Sequence, residues 1–221
     1  GTIRIQSDDE FTSENGVVSG SGTESDPYII ELWSIDASSC DTSIWPYIKV
    51  GIAVYNTTKY FVIRDCQVEN ADEYGSGISL SFLSNGTVQN CTLGNSGSGI
   101  SFSGCDNIVI SGNTIENCDN GITNGSYSSD AITISDNTIT GCTDTGIEFH
   151  YLTNSSCTGN NVSNNNQGIY VSALWFGGCT ISENIVQGNT LEGIDVSGDS
   201  EDNTISNNDT SNNGGTGNRN T

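Results

Sequence analysis

Methionine is absent from the chain, histidine occurs once, at His150, proline twice, and Lys and Arg together only five times. Each scarcity excludes something. With 27 Asp and Glu against those five cations the net charge is −22, a field that repels nucleic acid and anionic membrane surfaces, so neither is expected as a partner. No run approaches the roughly 18 apolar residues of a membrane span, which excludes membrane insertion by a helix. One histidine and no Cys-x-x-Cys exclude a conventional zinc site. No signal peptide precedes Gly1, so the chain reads as a mature or trimmed form.

What is abundant is Gly, 27 of 221 residues, together with Asn, Ser and Thr. This composition disfavours helix. It would also suit disorder, except that aliphatic residues recur on a regular period. The stretch Gln89–Asn117 holds almost one copy of the unit. It has Gly-Ile followed by alternation, a Gly/Asn turn, an aliphatic anchor, Asn or Cys three residues on, and a second aliphatic two beyond that. The anchors are Ile30, Ile63, Val88, Ile110, Ile134, Cys157, Ile181 and Ile205, mostly 22–25 residues apart. A Gly-Ile pair lies upstream of each after the first, from Gly51-Ile52 to Gly193-Ile194; Gly121-Ile122-Thr-Asn124 breaks the alternation that follows.

Leucine-rich repeats share this period but need a leucine frame that is absent, and propeller blades are longer. The pattern predicts an all-β fold, a right-handed single-stranded parallel β-helix (β-solenoid) of about eight coils of 22–25 residues. Residues 1–28 read as an N-terminal cap and 29–221 as the repeats, one structural domain overall. Asn113, Asn137, Asn160, Asn184 and Asn208 share one offset from the anchor. Stacked inward at coil spacing, they predict an asparagine ladder, each amide bonding the next rung. Cys66 and Cys91 are equivalent on neighbouring coils, as are Cys118 and Cys142. Each pair is either a coil-to-coil disulfide or two stacked thiols. Cys157 takes an anchor position, and Cys105 reads as buried apolar filler.

Asn-Thr-Ile-Ser-Asn-Asn (203–208), Ser-Gly-Asn-Thr-Ile-Glu-Asn (111–117) and Gly-Ile-Tyr-Val (168–171) resemble the repeats of the NosD-like family, also described as carbohydrate-binding and sugar-hydrolase (CASH) domains, with the pectin-lyase-like fold. Residues 22–36 resemble the N-terminal cap of archaeal surface proteins of this group. The resemblance covers nearly the whole chain. It implies an extracellular or cell-surface location and fixes fold more than function, because such coils serve enzymes, binders and scaffolds alike.

Candidate chemistry is sparse. Polysaccharide lyases of this fold need a basic residue and usually calcium, but Arg4, Lys49, Lys59, Arg64 and Arg219 are scattered, and Arg64 reads as a surface ion pair with Asp65. The polygalacturonase and uronate-epimerase signatures are missing. The residues supply no catalytic set, and whether the chain is an enzyme is left open, leaning against. His150 beside Glu148 and Tyr151 is the only triad-like cluster, with Glu148 expected outward and Phe149 inward; it reads chiefly as a solvated turn. Calcium is a weak expectation at Asp8, Asp9 and Glu10 or at Asp199, Glu201 and Asp202, and no other cofactor is implied. The outward row after Gly-Ile begins with small hydroxyls and then changes character, which is poor support for an ice- or crystal-binding face. Trp45, Tyr47 and Trp175, on interruptions of the repeat, are candidates for stacking a sugar ring. Sequons at Asn56, Asn85, Asn90, Asn124, Asn154 and Asn161, with a further one at Asn208, offer N-glycosylation sites if the chain is exported.

The reading that follows is a non-catalytic extracellular or surface β-helix, with self-association end to end or side by side, because the last coil shows no capping helix. The alternative is a carbohydrate-binding or carbohydrate-active module of a larger protein.

Overall fold

The computed structural model describes residues 1–43, 48–172, 177–197, 202–215 and the backbone of 219–220. The chain winds into a parallel β-solenoid with three faces. Face A has nine strands, from Ile3–Ile5 through Val50–Tyr55 and Thr145–Phe149 to Arg219–Asn220. Face B also has nine, with eight in line from Tyr28–Glu31 to Thr204–Ser206 and the short Leu152–Thr153 beside them. Face C has six, from Ser34–Asp36 to Asn161–Ser163. Every strand pairing within these faces is parallel and joins one coil to the next. Among the described residues no helix is long and apolar enough to cross a membrane.

The anchor column runs in register down face B: Ile30, Ile63, Val88, Ile110, Ile134, Cys157, Ile181, Ile205. On face A the Gly-Ile isoleucines stack from Ile52 to Ile194, with Ile3 before them. Nearly all these side chains are buried in one continuous core, because period-two alternation sends one row inward on each face. The glycine before each isoleucine is a steric necessity. A Cβ at Gly121 would sit 2.3 Å from the Gly146 carbonyl oxygen and 2.5 Å from Ile139 Cγ2, so the face C side chains pack against bare backbone there.

The coil count is lower than expected. About six turns carry strands on all three faces, not eight. Among the described residues, beyond Asn161–Ser163 face C continues only as single bridges, Asn161 to Ile185 and Ile185 to Asp209, since one residue per coil is too short a run to make a ladder. At the other end Ile3–Ile5 is the first strand of face A. Two 3-10 turns follow it, and Phe11 stacks on Tyr28 at 4.5 Å between ring centroids.

Three turn columns separate the faces. Between B and C the five asparagines form a ladder: Asn113 donates from its backbone N–H and from Nδ2 to Asn137 Oδ1, both at 2.9 Å. The same pair of bonds repeats to Asn160, Asn184 and Asn208. Each Nδ2 also reaches back to an anchor carbonyl, as Asn160 does to Ile134 at 3.0 Å, so these buried amides are satisfied. A second column between C and A repeats the device with Asn165, Asn189 and Asn213. Three asparagines at anchor plus eight were the signal for it. In the third column Cys105 donates its backbone N–H to Ser129 Oγ, and Cys179 donates to Asn203 Oδ1. Each asparagine run begins one coil after a cysteine, whose backbone N–H it accepts: Cys91 to Asn113, Cys142 to Asn165 and Cys179 to Asn203.

All eight cysteines are free thiols, and seven are buried. Cys66 and Cys91 stack between B and C, Cys118 and Cys142 between C and A. Burial pushes the thiols of Cys105 and Cys118 up to about 11 and those of Cys142 and Cys157 up to about 12. For Cys91 the thiol contact with Cys66 adds to burial and raises it further.

Candidate functional site

The outward row of face A reads Ala53, Ser79, Ser101, Thr123, Glu148, Tyr170, Asp195 in register. At its N-terminal end the row is covered: Val50, Ala53 and Tyr55 form a second apolar cluster with Ile48, and the Tyr55 hydroxyl meets Ser79 Oγ at 3.3 Å. Arg4 Nη2 is bound there to Cys40 Sγ at 2.7 Å and to the Asp41 carbonyl at 2.6 Å. Further along, the row opens. Thr123 Oγ1 donates to Glu148 Oε2 at 3.1 Å, and Glu148 Oε1 meets His150 Nε2 at 3.0 Å. The Glu148 carboxylate is thereby held at both oxygens. The ring centroids of His150 and Tyr170 are 6.2 Å apart, edge to face. Tyr170 shares a hydrogen bond with Ser197 at 3.2 Å, and Gln167 donates to Asp195 at 3.3 Å.

A groove of about 310 Å³ beside this row is lined by Asn124, Gly125, Ser126, His150 and Tyr151. Its edge continues into exposed Tyr127, packed edge-on against exposed Phe82 at 4.9 Å. Below it lies the break in alternation noted in the sequence. Asn124 occupies the inward row of Phe102, Phe149 and Val171, and is 1% exposed. Its Oδ1 accepts the His150 backbone N–H at 2.7 Å. A buried amide in an apolar row is a local rule broken, and it is broken under the one histidine.

Glu148 points outward and Phe149 is buried, so the pattern placed this strand's side chains correctly. It did not connect Thr123, Glu148, His150 and Tyr170, which lie on three successive coils. Trp45, Tyr47 and Trp175 lie outside the described residues, as do Asp199 and Glu201. The chief partner of Arg64 is Glu31 at 2.6 Å, with Asp65 only at 4.0 Å, because the parallel register sets Glu31 directly beside Arg64. Asp8 accepts from Thr57 at 2.6 Å and Glu10 from the Gln6 N–H at 2.7 Å, so two of the three N-terminal carboxylates considered for calcium hold local structure. Among the sequons, Asn56, Asn90, Asn154 and Asn161 are exposed and Asn85 is half-buried. Asn124 must be withdrawn: its amide is packed in the core, where no glycan fits.

Residues 50–217 match the family model described as the right-handed β-helix region. The chain belongs to the right-handed β-helix family. Among solved structures this β-helix protein is similar to an alginate lyase from Paenibacillus sp. str. FPU-7, at 15% identity over 94% of this chain and 75% of that one, with a TM-score of 0.64. It is also similar to the pectate lyase Pel9A, at 14% identity over 96% and 64% of the two chains, with a TM-score of 0.62. The Azotobacter vinelandii mannuronan C-5 epimerase AlgE4 A-module follows at 16% identity, 87% and 65%, with a TM-score of 0.50. At these identities the likeness establishes the pectin-lyase-like fold alone. The chain spans three quarters of the first structure and just under two thirds of the other two. No curated protein matches the sequence.

Proposed function

We propose that this β-helix protein is a carbohydrate-binding module whose ligand lies on the open part of face A, over Tyr170 and His150. The observation that carries the proposal is Asn124, the buried amide that interrupts the apolar row to hold His150 beside an aromatic ring and a fixed carboxylate. A half-buried tyrosine with polar groups around it suits a sugar ring, which offers an apolar face and hydroxyl edges together. The polysaccharide-acting proteins of the same fold support the ligand class. Trp45, Tyr47 and Trp175 stay in the proposal as further stacking positions.

The test is calorimetry against a panel of oligosaccharides. Tyr170→Ala and His150→Ala should each abolish binding while the circular dichroism spectrum is unchanged. Wild-type protein that binds none of the panel would sink the reading. New reducing ends or unsaturated products would replace binding with catalysis.

The second reading is a non-catalytic structural solenoid, NosD-like or CASH-type, on an archaeal-type cell surface, glycosylated at exposed sequons and assembling end to end. It is favoured by the ladders, which carry the same cross-coil bonds from Asn113 to Asn208. Within both readings residues 1–28 supply the first face A strand, Ile3–Ile5, and the cover of that coil's open end, and burial of Phe11 and Val17 supports the covering role. Electron micrographs of native material showing filaments, with glycan binding absent, would favour the second.

A further inference from the structure

We infer that the ligand of the face A groove is an amine-bearing sugar chain, an oligomer of amino-sugar units with free ammonium groups. The inference rests on the binding reading above and adds the ligand's charge to it. None of the five Lys and Arg residues lies between Arg64 and Arg219, whereas two thirds of the 27 acids do. The part of the chain that builds the groove therefore has His150 as its sole basic side chain.

The charges are also placed. Glu148, Tyr170 and Asp195 are consecutive in the outward row, so a carboxylate stands on each side of the aromatic ring, one coil spacing of about 4.8 Å from it along the axis. Thr123 and His150 hold the Glu148 carboxylate, and Gln167 holds Asp195. Both are fixed acceptors at the edge of a stacking surface rather than mobile surface acids. A sugar ring stacked on Tyr170 can direct ammonium substituents to either side and form charge-assisted hydrogen bonds to both. A uronate in that position would set its own carboxylate against Glu148 or Asp195, and like charges in juxtaposition exclude the wrong partner. A neutral ring would stack and offer the two carboxylates hydroxyl donors only, without the opposite charge that strengthens such bonds.

The experiment compares oligomers of equal length by calorimetry: β-linked glucosamine, its N-acetylated counterpart, a uronate oligomer with and without calcium, and an oligolysine of matched charge. Wild-type protein, Glu148→Gln, Asp195→Asn and Tyr170→Ala are each measured. The glucosamine oligomer should bind about tenfold or more tighter than the acetylated one, with affinity falling as salt rises. Glu148→Gln and Asp195→Asn should remove most of that preference, weakening the glucosamine oligomer far more than the acetylated one; Tyr170→Ala should weaken both sugars. Equal binding of the acetylated oligomer, or preference for the uronate with or without calcium, overturns the inference and leaves the binding reading standing. Glucosamine affinity that survives all three substitutions and is matched by oligolysine is general surface acidity, and also overturns it. Failure of every sugar overturns both.

Discussion

The early and late coils share one backbone path and fill their turn columns differently. Up to Cys91 in the B–C column and Cys142 in the C–A column the side chains are mainly small or sulfur-bearing, Cys66, Cys91, Ala71, Ser96, Cys118 and Cys142 among them, nearly all with exposure of a few percent or less. From Asn113 and Asn165 onward the same columns hold amides bonded to the next coil at 2.9–3.0 Å. The early coils also carry every Lys and Arg before Arg219, a covered face A and the Arg64–Glu31 ion pair. Position in the coil therefore decides which side chains point inward. It does not decide whether they act by filling space or by hydrogen bonding, and that choice changes along the axis.

Replacing one ladder amide breaks this contrast most severely. Asn160→Leu strips the acceptor from two Asn137 donors and the donor from the Ile134 carbonyl. A loss of about 3–5 kcal/mol is expected in urea unfolding. Cys118→Ala, in a thiol column, removes packing and a weak thiol contact to the Glu116 carbonyl at 3.6 Å, and should cost about 1–2 kcal/mol. Similar losses for the two would end the distinction. Cys91→Asn sharpens it, because this substitution adds a rung ahead of Asn113 beside the Ile63 carbonyl that Cys91 Sγ faces at 3.9 Å. It should be neutral or stabilising by about 1 kcal/mol.

Acid and base should draw on different groups. Hydrogen bonds from Thr153 and Asn154 hold the Asp130 carboxyl below its usual range, and Ser211 does so for Asp209. A lowered folded pKa contributes stability that is complete above the unfolded value near 4 and fades as pH falls through the folded one. The buried thiols act oppositely. With folded values of about 11 to 12, their contribution is complete below the unfolded value of roughly 8.5 and is lost as pH rises towards the folded one. Melting followed by circular dichroism should be flat between about pH 5 and 8 and fall on both sides. Cys118→Ala should flatten part of the alkaline fall without touching the acid limb. The smallest effect should be on labelling: iodoacetamide at pH 8 should modify Cys40, the only half-exposed thiol, and reach the other seven on unfolding.

The period, the anchors and the first asparagine column were legible because each depends on an offset within one coil, and Ile30 to Ile205 stack as their spacing predicts. Coil completeness was not, since whether Ile185 extends into a strand depends on its neighbours across the face. The groove was only half legible. His150 and Glu148 are close in sequence, but Thr123 and Tyr170 join them across 25–27 and 20–22 residues, a relation visible only once the register is known. Asn124 carried the clearest sign, a polar residue in an apolar row, whose meaning needed the His150 N–H above it.

The ladder amides also have a direction. Each Nδ2 reaches back to a carbonyl of the preceding coil, and each Oδ1 receives the N–H groups of that coil. A coil that already stands therefore offers both halves of the contact the next asparagine needs. Because every partner is only one coil away in the chain, loop closure is short and repeated. Assembly can then nucleate at any laddered coil and propagate to its neighbours on either side.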